Sequence, residues 1–157
     1  ESVDAARDGL LALVADVPDG VELQFEALAA RDLDRMPVEQ RQDHVRKLMN
    51  FGHAEPRLAA LRDDPALLAV IAKLLGAEPE VYQEMALFKP PGIGREKPWH
   101  QDHAYFAVPE DTPVVGVWIA LDPATVENGC MIFLPGGHRD GPRPHFVRRD
   151  WQLCDDV

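Results

Sequence analysis

The residues with the clearest potential for chemistry lie between positions 99 and 106, where a His-x-Asp pair is set among aromatic side chains. In an extended segment, side chains at positions i and i+2 point to the same face. The imidazole of His100 and the carboxylate of Asp102 would then be able to hold one metal ion, with Gln101 pointing away. A histidine and a carboxylate are two of the three ligands in the facial triad of non-haem Fe(II) oxygenases. The pair is therefore a candidate metal site.

A second His-x-Asp tripeptide, which runs from His138 to Asp140, competes with this pair. A chain with six histidines is expected to contain about one such tripeptide by chance, so context must separate the two. His138 follows Leu-Pro-Gly-Gly and precedes Gly141-Pro142, a composition typical of a loop. Trp, Tyr and Phe surround His100 and can enclose a partly dry pocket. The context favours the pair at His100.

Length, charge and composition limit the classes of protein to which the chain can belong. A chain of 157 residues with 46% hydrophobic content predicts one domain with its own core. The net charge of −11 disfavours binding to a phosphate backbone, so we expect no nucleic-acid partner. We expect no membrane span and no signal peptide, since no apolar run is long enough. Two cysteines without a Cys-x-x-Cys motif indicate a reducing cytoplasm.

The first part of the chain, residues 1–79, is predicted to be a mainly helical region of this domain. Periodic apolar residues predict three helices, and an alternating pattern predicts one strand. The helices are at 3–16, 38–50 and 64–75, and the strand is at 21–26. The last helix has the clearest ends, since Asp64 suits the N-cap, Pro65 the first turn and Gly76 the C-terminal stop. Its wide apolar stripe predicts packing against a large partner.

Residues 80–157 change to a pattern typical of strands. The segment from Glu80 to Lys89 and the segment 130–134 both predict strands, and Glu127-Asn128-Gly129 predicts a turn of the hairpin type. The apolar run Val114 to Leu121 is typical of a strand that is buried on both faces. The last residues, 142–157, show no clear period. Helices followed by antiparallel strands predict an α+β fold around a sandwich or barrel.

Four motifs, in this order, resemble the phytanoyl-CoA dioxygenase family over about residues 45–157. They are Trp99-His-Gln-Asp-His-Ala-Tyr-Phe106, Gly116-Val-Trp-Ile-Ala-Leu-Asp122, Glu127-Asn-Gly-Cys-Met131 and Leu134-Pro-Gly-Gly-His138. The resemblance implies an Fe(II)- and 2-oxoglutarate-dependent oxygenase that uses O2 and a small-molecule substrate. It also implies a fold in which N-terminal helices pack on a double-stranded β-helix core of the jelly-roll or cupin type. The oligomeric state is left open.

The resemblance assigns roles to five residues. His100 and Asp102 match the first two iron ligands of the family, and Gln101 matches the residue between them. Trp118 and Met85 match positions that line the 2-oxoglutarate pocket. Lys47, within the predicted helix 38–50, falls where the family can place a lysine near the co-substrate. The resemblance also places His138 in a Pro-Gly-x-His turn that does not bind iron.

Two elements of the family site have no match in the chain. The distal histidine ligand and the arginine that binds the far carboxylate of 2-oxoglutarate both follow this region in the family. His145 comes too soon after the motifs to match that histidine. The second half predicts about four or five strands, whereas a β-helix core needs about eight. We therefore expect the chain to be incomplete relative to a working enzyme.

The reaction implied by the resemblance is hydroxylation of an aliphatic C–H bond with release of succinate and CO2. Halogenating relatives replace the carboxylate ligand with a small residue, so Asp102 favours hydroxylation. Two alternatives stay open. One is a non-catalytic β-helix protein that acts as a binding module, and the other is a cupin-like metalloenzyme that does not use 2-oxoglutarate.

Overall fold

The computed structural model describes residues 2–26, 36–149 and 152–155. Its helices are α1 (Ser2–Ala15), α2 (Val38–Arg41), α3 (Pro56–Arg62) and α4 (Pro65–Leu75), and its strands are β1 (Glu22–Phe25), β2 (Val45–Met49), β3 (Met85–Leu87), β4 (His145–Arg149) and β5 (Gln152–Asp155). The chain divides into two compact units. The first comprises residues 1–95 and 117–123, and the second comprises residues 96–116 and 124–157.

The sheet of the first unit is antiparallel and has β2 as its central strand, between β1 and β3. Leu48 of β2 lies opposite Leu23 on one side and Ala86 on the other. The register shifts between Gln24 and Phe25, so that Phe25 pairs with Val45. Leu23 and Phe25 share a face of β1, and their partners Leu48 and Val45 therefore lie on the same face of the sheet. Both are 0% exposed. The fully buried side chains of this strand therefore point to one side of the sheet, towards the hydrophobic core.

The helix predicted over residues 38–50 is wrong. The chain forms the one-turn helix α2, a 3-10 turn at Gln42–His44 and then the strand β2. The prediction rested on the i, i+3 spacing of Val45 and Leu48. A strand with a β-bulge between these two residues also places them on one face, so the spacing does not separate helix from strand. Hydrogen bonds to β1 and β3 stabilise residues 45–49 in the extended conformation. Lys47 therefore lies on a strand and not on a helix.

The hydrophobic core of the first unit lies between helices and sheet. Its buried side chains come from α1, β2, α3 and the turns between them: Ala6, Leu10, Leu13, Val14, Val21, Val45, Leu48, Phe51 and Leu58. Helix α1 packs against α3. The half-buried Arg7 of α1 donates to the carbonyl of Leu121 and pairs with the carboxylate of Asp122 at 3.0 Å. These contacts hold the segment 117–123 against the first unit.

The ends of α4 are as predicted. The side chain of Asp64 accepts hydrogen bonds from the N–H groups of Ala66 and Leu67 at 2.9 and 3.0 Å. Gly76 ends the helix with φ of 72°, a left-handed conformation that favours glycine.

The expectation that the apolar stripe of α4 packs against a large partner is wrong for the described residues. Val70 and Leu74 are 58% and 68% exposed, because no described element covers that side.

Three segments of the second half of the sequence that were predicted as strands are shorter in the structure or form no strand. Only Met85–Leu87 of the segment predicted from Glu80 to Lys89 forms a strand. Val114 to Leu121 is not a strand, and it is largely exposed rather than buried on both faces. The segment 130–134 also forms no strand, and Phe133 is 75% exposed. A strand needs hydrogen-bonded neighbours, and the described residues place none beside these two runs.

A hairpin in the second unit was not predicted. Strands β4 and β5 pair antiparallel, from His145 opposite Asp155 to Arg149 opposite Gln152. An irregular register between Val147 and Arg149 breaks the alternation on which a sequence prediction depends. Residues 150–151, which include Trp151, and residues 156–157 lie outside the described part of the chain.

Helices combined with small antiparallel sheets confirm the predicted α+β class. The two sheets have three and two strands, and a jelly-roll core stays a prediction. Of the helices in the described segments, the longest has 14 residues, and none is long and apolar enough to cross a bilayer.

Glu55 generates a prediction about stability. It is buried at 7% exposure and caps α3, with its carboxylate accepting from the N–H and the guanidinium of Arg57 at 3.0 and 2.8 Å. The hydrogen bonds from Arg57 lower the pKa of Glu55 from 4.5 to about 2. The substitution E55A is expected to lower the free energy of unfolding at pH 7 by about 1–2 kcal/mol.

Because the pKa of Glu55 is lowered on folding, its contribution is complete above pH 4.5 and is lost as the pH falls towards about 2. Urea denaturation at pH 7 and pH 3 measures this change, with the exposed Glu78 as the site of a control substitution, E78A. A difference between wild type and E55A that is equal at both pH values would contradict the ionised cap.

Candidate metal centre

His100 and Asp102 lie side by side, but not on a continuous extended segment. Gln101 is extended, with φ of −103° and ψ of 128°, and Asp102 begins a 3-10 turn that ends at Tyr105. The turn is closed by a hydrogen bond from the N–H of Ala104 to the carbonyl of Gln101 at 3.0 Å. One extended residue between the pair keeps both side chains on one side. His100 Nε2 lies 3.3 Å from Asp102 Oδ1.

The imidazole of His100 is oriented by the backbone. Its Nδ1–H donates to the carbonyl oxygen of Pro98 at 2.7 Å, which leaves the lone pair of Nε2 directed towards Asp102. Two electron-rich atoms at this distance attract a proton or a cation between them. The hydrogen bond with the Asp102 carboxylate raises the pKa of His100, and the same hydrogen bond lowers the pKa of Asp102.

The pair fits a metal ion by its chemistry and its spacing. Histidine ligands of metals usually donate their second ring N–H to a carbonyl or carboxylate, as His100 does to Pro98. Two neighbouring ligands with bonds of about 2.1 Å at right angles are about 3 Å apart, and the 3.3 Å between Nε2 and Oδ1 is close to that. Imidazole and carboxylate together suit Fe(II).

The surroundings of the two side chains differ. The side chain of His100 is 23% exposed, and the ring of Tyr105 lies edge-on to it with the ring centres 5.3 Å apart. The Lys97 ammonium lies 4.8 Å from the centre of the same tyrosine ring. The side chain of Asp102 is 72% exposed. The aromatic enclosure expected for this site is therefore present only on the histidine side.

Gly116 lies beside the carboxylate of Asp102. A Cβ atom placed at Gly116 would lie 3.7 Å from Asp102 Oδ2, an ordinary contact distance. The side chain of Asp102 is also 72% exposed. The exposed side of Asp102 is thus accessible to a ligand that approaches from solvent.

Within the described ranges, no cluster of three or more His, Cys, Asp or Glu side chains is placed to hold a metal ion. His138 lies on the 3-10 turn Gly137–Asp140 and is exposed, in agreement with the predicted loop. His145 is engaged elsewhere. Its Nε2 accepts from the N–H of Gln101 at 2.9 Å, and its Nδ1–H donates to the carbonyl of Arg143 at 2.7 Å.

Sequence reasoning missed the contact between His145 and Gln101. The available signal was the composition of residues 141–145, Gly-Pro-Arg-Pro-His. Residues before proline are held in extended conformations, and an extended segment presents backbone groups that a glutamine amide can bind. A long-range pairing over 44 positions cannot be identified from spacing alone.

Three further residues assigned by the resemblance lie in the first unit. Lys47 is opposite Leu87, and Met85 is opposite Met49, so all four side chains belong to one face of the sheet. Burial lowers the pKa of Lys47, with a smaller effect in the same direction from Arg46. The structure thus brings Lys47 and Met85 to the same face of neighbouring strands.

Trp118 belongs to the segment 117–123 of the first unit and is 51% exposed. It therefore does not pack as a core residue of a buried strand. An exposed indole is available to contact a ligand, and its role at the co-substrate stays a prediction.

A family model described as phytanoyl-CoA dioxygenase (PhyH) matches residues 1–155. The phytanoyl-CoA dioxygenase domain-containing protein 1 of Danio rerio is 39% identical over 105 residues, which is 64% of this chain and 36% of that protein. The phytanoyl-CoA dioxygenase of Arabidopsis thaliana is 39% identical over 103 residues, 63% of this chain and 36% of that protein. A homologue of the first protein in Caenorhabditis briggsae is 49% identical over 63 residues, 40% of this chain and 22% of its own.

The chain spans little more than a third of the length of the first curated relatives it matches, with 36% of the Danio rerio and Arabidopsis thaliana proteins covered. No solved structure matches it.

The contact between His100 and Asp102 predicts a measurable titration. In the metal-free protein, the His100 imidazole is expected to titrate above its ordinary value of 6.5, because the Asp102 carboxylate favours the protonated ring. The substitution D102N removes that charge and is expected to lower the pKa of His100. NMR titration of the imidazole protons measures the change. D111N, at an exposed aspartate, serves as a control. A pKa of His100 that is the same in D102N and wild type would contradict the contact.

Proposed function

Because the chain belongs to the phytanoyl-CoA dioxygenase family, we propose that it is an Fe(II)- and 2-oxoglutarate-dependent dioxygenase that hydroxylates an aliphatic C–H bond of a small organic substrate. Membership of the family confirms the resemblance predicted from the motifs. The observation that carries the proposal is the convergence of His100 Nε2 and Asp102 Oδ1 at 3.3 Å. The activity of the whole protein is a proposal, since the chain covers only 36% of its first relatives.

In this proposal His100 and Asp102 hold Fe(II), and a further histidine that we assign to no described residue completes the triad. When bound, the iron with 2-oxoglutarate and O2 supplies the oxidising chemistry, which yields a hydroxylated substrate, succinate and CO2. The hydrogen bond of His100 to Pro98 keeps Nε2 free to bind the metal. The carboxylate of Asp102 contributes a negative charge that offsets part of the charge of the cation.

The identity of the second ligand separates hydroxylation from halogenation. Asp102 supplies a carboxylate where a small residue would leave a coordination position for chloride. The exposed side of Asp102, next to Gly116, is where a small substrate can approach the pair.

We propose the cytoplasm as the location, because a chain with two cysteines and no Cys-x-x-Cys motif suits a reducing compartment.

Removing the carboxylate tests the iron site. D102A is expected to lower iron-dependent formation of succinate from 2-oxoglutarate at least about 100-fold, because one of the protein ligands is lost. H100A is expected to have the same effect. The control is H138A, at the exposed histidine of the second His-x-Asp tripeptide, which is expected to leave turnover unchanged.

The same measurement separates the alternatives. A wild-type protein that shows no 2-oxoglutarate-dependent thermal shift and holds no metal would be a non-catalytic binding module. A protein that holds a metal through His100 and Asp102 but does not respond to 2-oxoglutarate would be a cupin-like metalloenzyme. Succinate formation that survives D102A would overturn the iron site itself.

Lys47 allows a separate test of the co-substrate assignment. We propose that its ammonium binds a carboxylate of 2-oxoglutarate, with Met85 and Trp118 as apolar contacts, as the family resemblance implies. K47M is expected to raise the KM for 2-oxoglutarate about 10-fold or more, since a charge-assisted hydrogen bond contributes about 1.5–3 kcal/mol. Iron affinity is expected to be unchanged.

R46M is the matched control for K47M, because Arg46 is the neighbouring cation on β2 and the resemblance assigns it no role at the co-substrate. Steady-state kinetics at varied 2-oxoglutarate, with iron affinity measured in parallel, distinguish the two variants. Equal KM values for 2-oxoglutarate in K47M and R46M would contradict the assignment of Lys47 to the co-substrate site.

A further inference from the structure

The residue between the two proposed ligands is held by its side chain. The amide nitrogen of Gln101 donates to the carbonyl of Gly141 at 3.0 Å, and its Oε1 accepts from the N–H of Arg143 at 2.8 Å. The amide thus makes one hydrogen bond to a backbone carbonyl and one to a backbone N–H of residues 141–143, as the backbone of a neighbouring strand would. The side chain of Gln101 is half-buried. It therefore points to a specific segment of chain and not to solvent.

The composition of that segment suits this contact. Arg143 stands between Pro142 and Pro144, and since proline has no N–H, it carries the only backbone donor of residues 142–144. That donor is the one bound by Gln101. Gly141 has φ of 74°, in the left-handed region that favours glycine, and its carbonyl is the acceptor. The prolines restrict the backbone of the segment before the glutamine binds it.

The backbone of Gln101 is held by the second contact, with His145 at the start of β4. The N–H of Gln101 donates to Nε2 of this ring at 2.9 Å, so Nε2 carries no proton there. The ring proton is on Nδ1 and is donated to the carbonyl of Arg143 at 2.7 Å. Both ring nitrogens therefore bind backbone groups. A metal at either nitrogen would have to displace one of these hydrogen bonds, which separates His145 from the ligands.

We propose that Gln101 and His145 form a clamp that positions the His100–Asp102 pair for metal binding. The clamp comprises three hydrogen bonds, two from the Gln101 side chain and one from its N–H. This inference rests on the proposed function, in which His100 and Asp102 hold Fe(II). Gln101 is the only residue between the two ligands. Holding its backbone in place therefore also holds the Cα positions of His100 and Asp102, from which the ligand side chains extend. Positioning contacts of this kind commonly change metal affinity about 10–100-fold.

The clamp is tested first without metal. Amide hydrogen exchange by NMR at constant pH reports on the Gln101 N–H, which is expected to exchange at least about 10-fold faster in H145F because its acceptor is gone. The Arg143 N–H is expected to exchange faster in Q101M, which keeps the length of the side chain and removes both polar atoms. H145Q places an amide oxygen where Nε2 stood and is expected to restore protection of the Gln101 N–H.

Metal affinity is tested second, with Co(II) alone as the probe. Q101M and H145F are expected to weaken Co(II) binding about 10–100-fold in calorimetry and to shift the visible absorption bands of the bound ion. H145Q is expected to bind within about 3-fold of wild type. The matched control is H138F, which makes the same substitution at the exposed histidine of the neighbouring turn and is expected to change neither readout.

The outcomes distinguish the clamp from the metal site. Unchanged exchange and unchanged Co(II) affinity in Q101M and H145F, with binding lost in D102A, would overturn the clamp and leave the proposed function intact. Co(II) binding that D102A does not affect would overturn the proposed site, while amide exchange would still decide whether the contacts exist. If H145F does not fold, Q101M and Q101E decide the question. Q101E keeps the acceptor and loses the donor to Gly141, so intermediate affinity is expected.

Discussion

In the first unit, both strand pairings pass through β2. This strand bonds β1 on one side and β3 on the other, and it places two fully buried side chains, Val45 and Leu48, in the hydrophobic core. Burying two aliphatic side chains of this size contributes about 1.5–3 kcal/mol each. The register of the neighbouring strands is consequently fixed by β2, since a shift by one residue would turn every side chain to the other face. Lys47 and Met85 share a face because of that register.

The second unit depends on a different kind of constraint. None of the apolar side chains described in this unit is fully buried. The long-range contacts of the segment around His100 are polar: Gln101 binds Gly141, Arg143 and His145. A hydrogen bond contributes about 0.5–1.5 kcal/mol in net terms, so such a network stabilises little. Its directionality is what matters, because each bond fixes an angle as well as a distance. A metal site requires that directionality more than it requires stability.

Prediction from sequence succeeded where the signal was local. The helix α4 was predicted with both ends, because Asp64, Pro65 and Gly76 act through contacts within a few residues. The approach of His100 to Asp102 was predicted because one residue separates them. The prediction failed at β2, whose i, i+3 spacing fits a helix and a strand with a β-bulge equally well. It also failed at the run from Val114 to Leu121, where hydrophobicity was mistaken for burial. Strand formation depends on partners that are remote in sequence. The contact of Gln101 with His145 has the same origin.

The arrangement of the His100–Asp102 pair makes a proton and a divalent cation compete for the same two atoms. With Nδ1 bound to the carbonyl of Pro98, His100 presents an unshared electron pair to the carboxylate oxygen 3.3 Å away. At this separation, neighbouring lone pairs repel unless a positive charge lies between them. A proton satisfies the pair, and so does a divalent cation, which carries twice the charge and binds both atoms directly. Competition between the two follows from the raised pKa of His100 and the lowered pKa of Asp102, since the metal must displace the proton that they share. Metal binding by this pair therefore releases a proton and becomes stronger as the pH rises.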